Sequence, residues 1–192
     1  MSLQERKERE RAGRERLIVA TARELAEQQG WGAVTTRKLA ERIEYSQPVL
    51  YSHFRGKREI IGAVALDGAA EMAVALRAAT AAADGPRARV AALAGAYLDL
   101  AERNPAVYDA LFQLDGGLEF AQEDTPEPLK DAFAALMECL GEVAGDGVHP
   151  GAFAEVFWAT LHGLATLARA GRLPAAYAEQ RIGLLVDRLA VL

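Results

Sequence analysis

Cysteine is almost absent from the chain, since Cys139 is the only one among 192 residues. One cysteine excludes an internal disulfide framework and a zinc site built mainly from cysteines. No run of eighteen apolar residues is free of charge or helix breakers, so a membrane span is not expected. The charged N-terminus is not followed by an apolar segment of signal-peptide length, so we expect a cytoplasmic protein with no export signal.

Residues that favour strands are also scarce. Val, Ile and Thr together number 24, whereas Ala alone numbers 40. Because Ala is the best helix former and β-branched residues favour strands, this balance predicts an all-α protein. Apolar residues make up 51% of the chain, which excludes wholesale disorder.

Charge is divided unevenly along the chain, although the formal net charge is −5. Residues 1–60 contain 13 Lys and Arg against 9 Asp and Glu, a net charge of +4, whereas residues 61–192 contain 9 against 18, a net charge of −9. A basic N-terminal third on an acidic body is typical of an anion-binding head. A solvated charged helix explains the same pattern, because residues 5–16 interleave both signs.

Four helices are predicted in the N-terminal third. We expect residues 1–12 to form a frayed arm before a first helix over residues 13–29. Thr35 is a good N-cap for a short second helix that ends near Ile43. Ser46 then caps a third helix, predicted from Gln47 to about Phe54, with Pro48 in its first turn. After Gly56, a long fourth helix is expected to begin at Lys57.

Glycine and proline divide the rest of the chain into segments long enough for helices. The predicted segments are residues 57–83, 86–103, 105–114, 127–143, 150–170 and 174–190.

The second and third helices form a helix-turn-helix pattern. Their predicted inward side chains are Leu39, Ala40, Ile43, Leu50 and Phe54. The other face of the third helix carries Gln47 and Tyr51 and has no acidic residue, which suits a helix that enters a DNA major groove. A generic helical hairpin would show the same pattern, and the basic flank favours DNA.

Polar and basic side chains around these helices are candidates for DNA contact. Gln47 is the best base reader, because its amide pairs bidentately with adenine. The others are placed for phosphates, which position a protein without reading the sequence. The predicted DNA-binding residues are Thr35, Thr36, Arg37, Ser46, Gln47, Pro48, Tyr51, His53 and Lys57.

The segment from Gly30 to Ile61 resembles the DNA-binding head of the tetracycline-repressor (TetR) family. The resemblance is carried by Thr35-Thr36-Arg37-Lys38-Leu39-Ala40 and by Leu50-Tyr51-Ser52-His53-Phe54, followed by Gly56-Lys57. It implies a three-helix head over residues 1–60 on a helical bundle over residues 61–192 that binds a ligand and dimerises. In that family the residues matching Thr35, Thr36, Tyr51, His53 and Lys57 commonly contact the DNA backbone.

Three positions depart from the usual pattern of that family. Glu44 stands where Gly is usual, so the turn is expected to need a non-glycine residue at positive φ. Pro48 and Val49 stand where a small residue and Thr are usual. Val49 has no hydroxyl for a phosphate, but either side chain could touch a thymine methyl. We expect these departures to change which operator sequence is bound more than whether DNA is bound.

Residues 150–168 are apolar on nearly every side of the predicted helix. Such a helix must be buried all round, which a second subunit would achieve. The following segment has a second apolar stripe, and two helices from each chain would make a four-helix interface. The predicted interface residues are Phe153, Phe157, Leu161, Leu164, Ala168, Ile182, Leu185 and Leu189. The Trp158-x-x-x-His162-Gly163 pattern resembles the WHG-like C-terminal domain of one TetR subgroup.

Aromatic and polar side chains on the body helices are candidates for an effector pocket, although core packing is the simpler explanation for each of them taken singly. They are Tyr97, Tyr108, Phe112, Phe133, Met137, Trp158 and His162. The sequence does not name the effector, and the body could instead bind a protein partner.

Catalysis is not expected, because the three histidines lie far apart and no nucleophile–base, metal-ligand or phosphate-loop pattern appears. We therefore predict no catalytic residue, metal or cofactor. The predicted function is a ligand-responsive transcriptional regulator, a repressor that binds a near-palindromic DNA operator as a homodimer and is released by a small molecule. A DNA-binding regulator with a protein-binding body is the alternative, and a helical enzyme is a remote one.

Overall fold

A computed structural model of the chain describes residues 2–188 with their side chains and residue 189 by its backbone. Within this part of the chain there are nine α-helices and no strand, so the all-α prediction is confirmed. The helices are α1 (Leu3–Gln29), α2 (Thr36–Arg42), α3 (Gln47–Tyr51), α4 (Lys57–Ala81), α5 (Pro86–Arg103), α6 (Pro105–Phe112), α7 (Glu127–Leu140), α8 (Pro150–Arg169) and α9 (Ala178–Leu189). Short 3₁₀ turns occur at Trp31–Ala33, Gly141–Val143 and Ala175–Tyr177. None of the described helices combines the length and apolar character needed to cross a membrane.

The predicted frayed arm is wrong, because α1 is helical from Leu3 onwards. Ser2 and Glu5 form a capping box: the Ser2 hydroxyl accepts from the Glu5 amide at 3.2 Å, and the Glu5 carboxylate accepts from the Ser2 amide at 2.8 Å. The i,i+4 ion pair Arg6–Glu10 supports the next turns. Local capping and charge pairing therefore hold the first turns of α1, whose residues 3–11 are all exposed.

The third helix is shorter than predicted, since α3 ends at Tyr51 and not near Phe54. The Ser52 amide donates to both the Pro48 and the Val49 carbonyls, at 3.1 and 3.2 Å. The Ser52 hydroxyl also donates to the Val49 carbonyl at 2.7 Å. These bonds satisfy the last carbonyls of α3 and end the helix within five residues.

By internal contacts the chain divides into two units, with the division inside α4. The first unit contains the residues up to Gly68 together with Asn104–Asp124. The second contains Ala69–Arg103 and the chain from Thr125 onwards. This division groups α6 with the N-terminal helices, whereas the boundary expected from the sequence falls at residue 60.

The first unit is built around α1, which packs on α2 and α6. Its core contains Ile18, Ala22, Leu25, Leu39, Leu50 and Ile60. The Glu27 carboxylate accepts from the amides of Ala106 and Val107, at 3.1 and 3.2 Å, and so caps the N-terminus of α6. The Trp31 indole donates to the Ala106 carbonyl at 2.8 Å. These bonds attach α6 to the end of α1 and the turn that follows it.

The second unit packs α5 against α7, α8 and α9. Tyr97, Phe157 and Leu161 are fully buried in it. On its surface the Arg77 guanidinium bridges Asp131 at 2.7 Å and Glu138 at 2.8 Å, which joins α4 to α7. Cys139 is buried as a small apolar side chain, and this burial raises the pKa of its thiol to about 11.

Candidate nucleic-acid interface

The turn between α2 and α3 has the geometry of a helix-turn-helix. Thr35 caps α2 as predicted, with its hydroxyl accepting from the Lys38 amide at 3.2 Å. Glu44 lies in the turn with φ of 58°, so the expected non-glycine residue at positive φ is confirmed. The Tyr45 amide then donates back to the Ala40 carbonyl at 3.0 Å. The small side chain of Ala40 is buried at this point.

One face of α3 is anchored and the opposite face is open. Leu50 is buried, whereas Gln47, Pro48 and Tyr51 are exposed, as is Ser46 just before the helix. None of these exposed residues is acidic. The structure therefore presents the polar face of α3 that the sequence predicts, with its base-reading candidate Gln47 at the first helical position.

The predicted phosphate contacts at the start of α2 lie beside α3. The hydroxyls of Thr36 and Tyr51 are 3.4 Å apart and share a hydrogen bond. Thr35 is exposed next to them. Arg37 is exposed on the outer face of α2, where its Nε is 2.9 Å from the Glu41 carboxylate. Exposed i,i+4 pairs are weak, so a phosphate can compete for this guanidinium.

His53 does not project outward, contrary to the expectation from the sequence. Its side chain is only 5% exposed, and Nδ1 lies 3.2 Å from Oε1 of Glu15 on α1. The hydrogen bonds from His53 and then from Arg11 hold the pKa of the Glu15 carboxyl below its usual range. His53 therefore ties the end of α3 to α1, because the chain folds back at this point.

Lys57 is half-buried at the first position of α4, where its ammonium donates to the Trp31 carbonyl. This bond holds α4 against the turn that follows α1. Arg55, which the sequence reasoning did not single out, lies between α3 and α4 with its side chain 92% exposed. The sequence could have indicated Arg55 as a candidate for DNA contact, because it lies in the Phe54-Arg55-Gly56-Lys57 segment just after the third helix.

The second unit brings together three of the residues predicted for an effector pocket. The Trp158 indole donates to the Tyr97 hydroxyl at 3.1 Å, and the rings of Phe133 and Trp158 meet edge to face with centroids 6.4 Å apart. Met137 and His162 are half-buried in the same unit. Desolvation lowers the pKa of His162. Its imidazole is therefore biased towards the neutral form, which both donates and accepts hydrogen bonds.

The other two residues predicted for the pocket lie on α6 in the first unit. Tyr108 is fully buried, and its ring meets Phe112 edge to face with centroids 4.9 Å apart. Of the seven residues predicted for the pocket, five therefore belong to the second unit and two belong to the first.

The residues predicted for a subunit interface differ widely in exposure. Phe157, Leu161 and Leu185 are buried within the second unit of a single chain, so they offer a partner no surface. Phe153, Leu164 and Ile182 are half-buried, and Ala168 is exposed. The side chain of Leu189 lies outside the described residues. On α8 the large apolar side chains that are exposed are instead Val156, which is 58% exposed, and Leu167.

Two family models match the chain. The model described as bacterial regulatory proteins of the tetR family matches residues 18–64, which contain the helix-turn-helix. The model described as the tetracyclin repressor-like C-terminal domain matches residues 90–189, more than half of the chain. The chain belongs to the TetR family. The Trp158-x-x-x-His162-Gly163 pattern lies inside the second match, and α1 to α4 contain the first.

Relatives of the TetR family resemble the chain over different lengths. The class G tetracycline repressor of Vibrio anguillarum is 45% identical over 47 residues, which cover 24% of this chain and 22% of that protein. The uncharacterized HTH-type transcriptional regulator YobS of Bacillus subtilis is 30% identical over 96 residues, half of each chain. The chain thus spans at most half the length of these curated relatives. A solved protein of unknown function from Rhodococcus sp. RHA1 is 27% identical, with a TM-score of 0.75 over 91% of this chain and 92% of that one.

Proposed function

We propose that this TetR-family protein is a transcriptional repressor that binds a near-palindromic operator as a homodimer and is released by a small-molecule effector. The observation that carries the proposal is the exposed, acid-free face of α3, formed by Gln47, Pro48 and Tyr51. Leu50 anchors the opposite side of the helix in the core. A short helix fixed in this way suits insertion into a major groove by its N-terminal residues.

The contacts in this proposal divide into two classes. Gln47 reads base edges, with Ser46 and Pro48 beside it at the start of α3. The hydroxyls of Thr35, Thr36 and Tyr51 and the guanidinium of Arg37 bind phosphates, and these contacts fix the register of the head on the duplex.

Lys57 and His53 act indirectly in the proposed complex. The ammonium of Lys57 holds the turn after α1, and it keeps two further donor hydrogens for a phosphate. His53 orients the end of α3 through Glu15.

A homodimer is proposed because one head offers few base contacts. Two heads about 34–36 Å apart would read half-sites one DNA turn apart, which accounts for a near-palindromic operator. We place the interface on the exposed face of α8, where Val156, Ala159, Gly163 and Leu167 follow one another at helical spacing. The small residues in the middle of this row let a symmetry-related helix approach closely.

The effector is proposed to bind the second unit beside Tyr97, Phe133 and Trp158. These rings offer apolar contact area, and the half-buried His162 adds a polar group that can orient a ligand. By linkage, an effector that weakens DNA binding is itself bound more weakly by the DNA complex. α4 begins at Lys57 and runs through both units, so we propose that it transmits the change.

Operator selection on the purified protein tests the proposal, followed by affinity measurements in rising salt and with candidate effectors. We expect a two-fold symmetric site whose affinity falls steeply with salt, because phosphate contacts release counterions. A flat salt response, or no enrichment of any duplex, would refute DNA binding. A selected site that no small molecule affects, but a protein does, would replace the effector with a protein partner.

A further inference from the structure

The first three turns of α1 extend past the core of the first unit. Residues 3–11 are all exposed, and Ile18 is the first buried residue of the helix. At 1.5 Å per residue, the twelve residues from Leu3 to Arg14 form an extension about 18 Å long, the length of about five base pairs. Residues 3–14 of α1 are called the α1 extension below.

The α1 extension begins where α3 ends. Further along the helix, Glu24 on α1 accepts from Arg42 at the end of α2, at 2.9 Å. Nearer the N-terminus, Glu15 meets His53, two residues after the last residue of α3. Followed towards its N-terminus, α1 thus passes α2 and then the end of α3, and beyond that point residues 3–11 are exposed.

Basic side chains of the extension lie on one side of the helix. Lys7, Arg11 and Arg14 fall within an arc of about 60° at 3.6 residues per turn. The same arc contains the buried residues Ile18 and Leu25 further along α1. The side that packs on the core beside α2 and α3 therefore continues as a row of cations where the core stops.

The hydrogen bonding of this row leaves it available to an anion. Nε of Arg14 is buried without a hydrogen-bond partner among the described residues, so it is the terminal nitrogens of this guanidinium that would reach a phosphate. Among the described residues Arg11 is held by the i,i+4 pair with Glu15, with Nε 3.1 Å from Oε1, and its side chain is 63% exposed. Exposed pairs of this kind are weak, so Arg11 can exchange the carboxylate for a phosphate.

We propose that the α1 extension is a second DNA-binding element, in which Lys7, Arg11 and Arg14 bind backbone phosphates of the duplex flanking the base pairs read by α3. The proposal rests on the proposed operator binding and extends its footprint. Duplex DNA is the occupant that fits, because the row is cationic and continues directly from the candidate interface.

The test compares two duplexes and two variants of the full-length protein. One duplex ends at the outermost base pair that operator selection recognises, and the other carries ten further base pairs on each side. The variants are Lys7→Gln with Arg11→Gln, and the control Arg9→Gln with Arg16→Gln, which removes the same charge from the opposite side of α1. Far-UV circular dichroism checks that both variants keep the helix content of the wild type.

We expect the Lys7 and Arg11 variant to bind the long duplex about tenfold or more weakly than the wild type does. The salt dependence of this binding should also become shallower, with a slope lower by about 4, because a dimer would lose four phosphate contacts and each contributes about 0.9. Its affinity for the short duplex should match that of the wild type. The control should match the wild type on both duplexes. Hydroxyl-radical footprinting should show that the same variant loses protection only in the flanks.

Equal losses on the two duplexes, or equal losses in the control, would overturn the inference and leave operator binding intact. A Lys7 and Arg11 variant that binds both duplexes as the wild type does would also overturn it. Failure of the wild type to bind either duplex would overturn operator binding together with it.

Discussion

Gln47 is the exposed side chain on α3 best suited to reading a base, because its amide presents a donor and an acceptor together. Pro48 and Tyr51 are exposed beside it on the same face of α3. Arg37 lies on the outer face of α2 and is suited to contact a phosphate. Phosphates are the same at every base pair, so this contact carries no sequence information. Two exposed residues of similar length thus have different proposed roles.

Gln47→Ala is predicted to reduce discrimination at one or two base pairs in each half-site by about 1–3 kcal/mol. Arg37→Gln is the matched control, and it should weaken binding to all sequences about equally and lower the salt slope by about 1 for each head. Affinities for the operator and its single-base variants measure both effects. Identical base-preference profiles for the two variants would contradict this division of roles.

Glu44 pays a conformational cost for its place in the turn, because its φ of 58° is unfavourable for a residue with a Cβ. Glu44→Gly is therefore predicted to raise the free energy of unfolding by about 1 kcal/mol. Glu44→Ala keeps the same strain and should give no such gain. Thermal or chemical unfolding of the three proteins measures the difference, and an equal gain in both variants would assign the effect to the charge of Glu44 instead.

At the scale of elements, α1 and α3 are joined by the hydrogen bond between Glu15 and His53. The sequence indicated both helices, but it did not indicate this contact, because the two residues are 38 positions apart. The first turns of α1 were also missed, since a helix search based on apolar spacing finds no signal in a fully exposed segment. The Ser2 capping box and charge pairs hold those turns instead.

Glu15→Gln is predicted to lower the free energy of unfolding by about 1 kcal/mol near pH 7, because the carboxylate is partly exposed and accepts from two donors. The pKa of Glu15 is lower in the folded state than its usual value. Its contribution is therefore complete above the unfolded pKa of about 4.3 and is lost as the pH falls through the folded pKa.

Denaturant unfolding at pH 7 and at pH 3 measures the free energy of unfolding of the wild type and of Glu15→Gln. The difference in this free energy between the two proteins should be smaller at pH 3 than at pH 7. Glu10→Gln is the control, because Glu10 is an exposed carboxylate on the same helix and its ion pair within residues 2–188 is with Arg6. Glu10→Gln should change the free energy of unfolding by no more than about 0.5 kcal/mol. A difference for Glu15→Gln that does not change with pH would show that its charge is not responsible.

At the scale of the whole molecule, the proposed assembly depends on the outward face of α8. The sequence predicted an interface on this helix from its apolar character. Two of the α8 residues predicted for it, Phe157 and Leu161, are used inside the chain, however, and Val156 and Leu167 remain on the outer face. The exposed row is small and apolar, which suits a symmetric contact between two copies.

Val156→Glu is predicted to convert the proposed dimer to monomers, because each interface would bury two unpaired carboxylates, one from each chain. Val74→Glu is the control, since Val74 is 68% exposed on α4 and is not in the proposed interface. Light scattering at micromolar concentration measures the mass, and DNA affinity should fall only for the first variant. A dimer that persists in Val156→Glu would place the interface on another surface.

The sequence alone determined the helices, their main boundaries and the helix-turn-helix, because capping, glycine and proline breaks and apolar spacing act over a few residues. The Thr35 cap and the start of α4 at Lys57 followed from such local rules, whereas the positive φ of Glu44 was expected from the resemblance to the TetR family. Tertiary packing decided which side chains remain available: it buried His53 against Glu15, engaged Lys57 with Trp31, and turned Phe157 inward on α8. Those outcomes depend on residues distant in the chain, and local spacing carries no information about them.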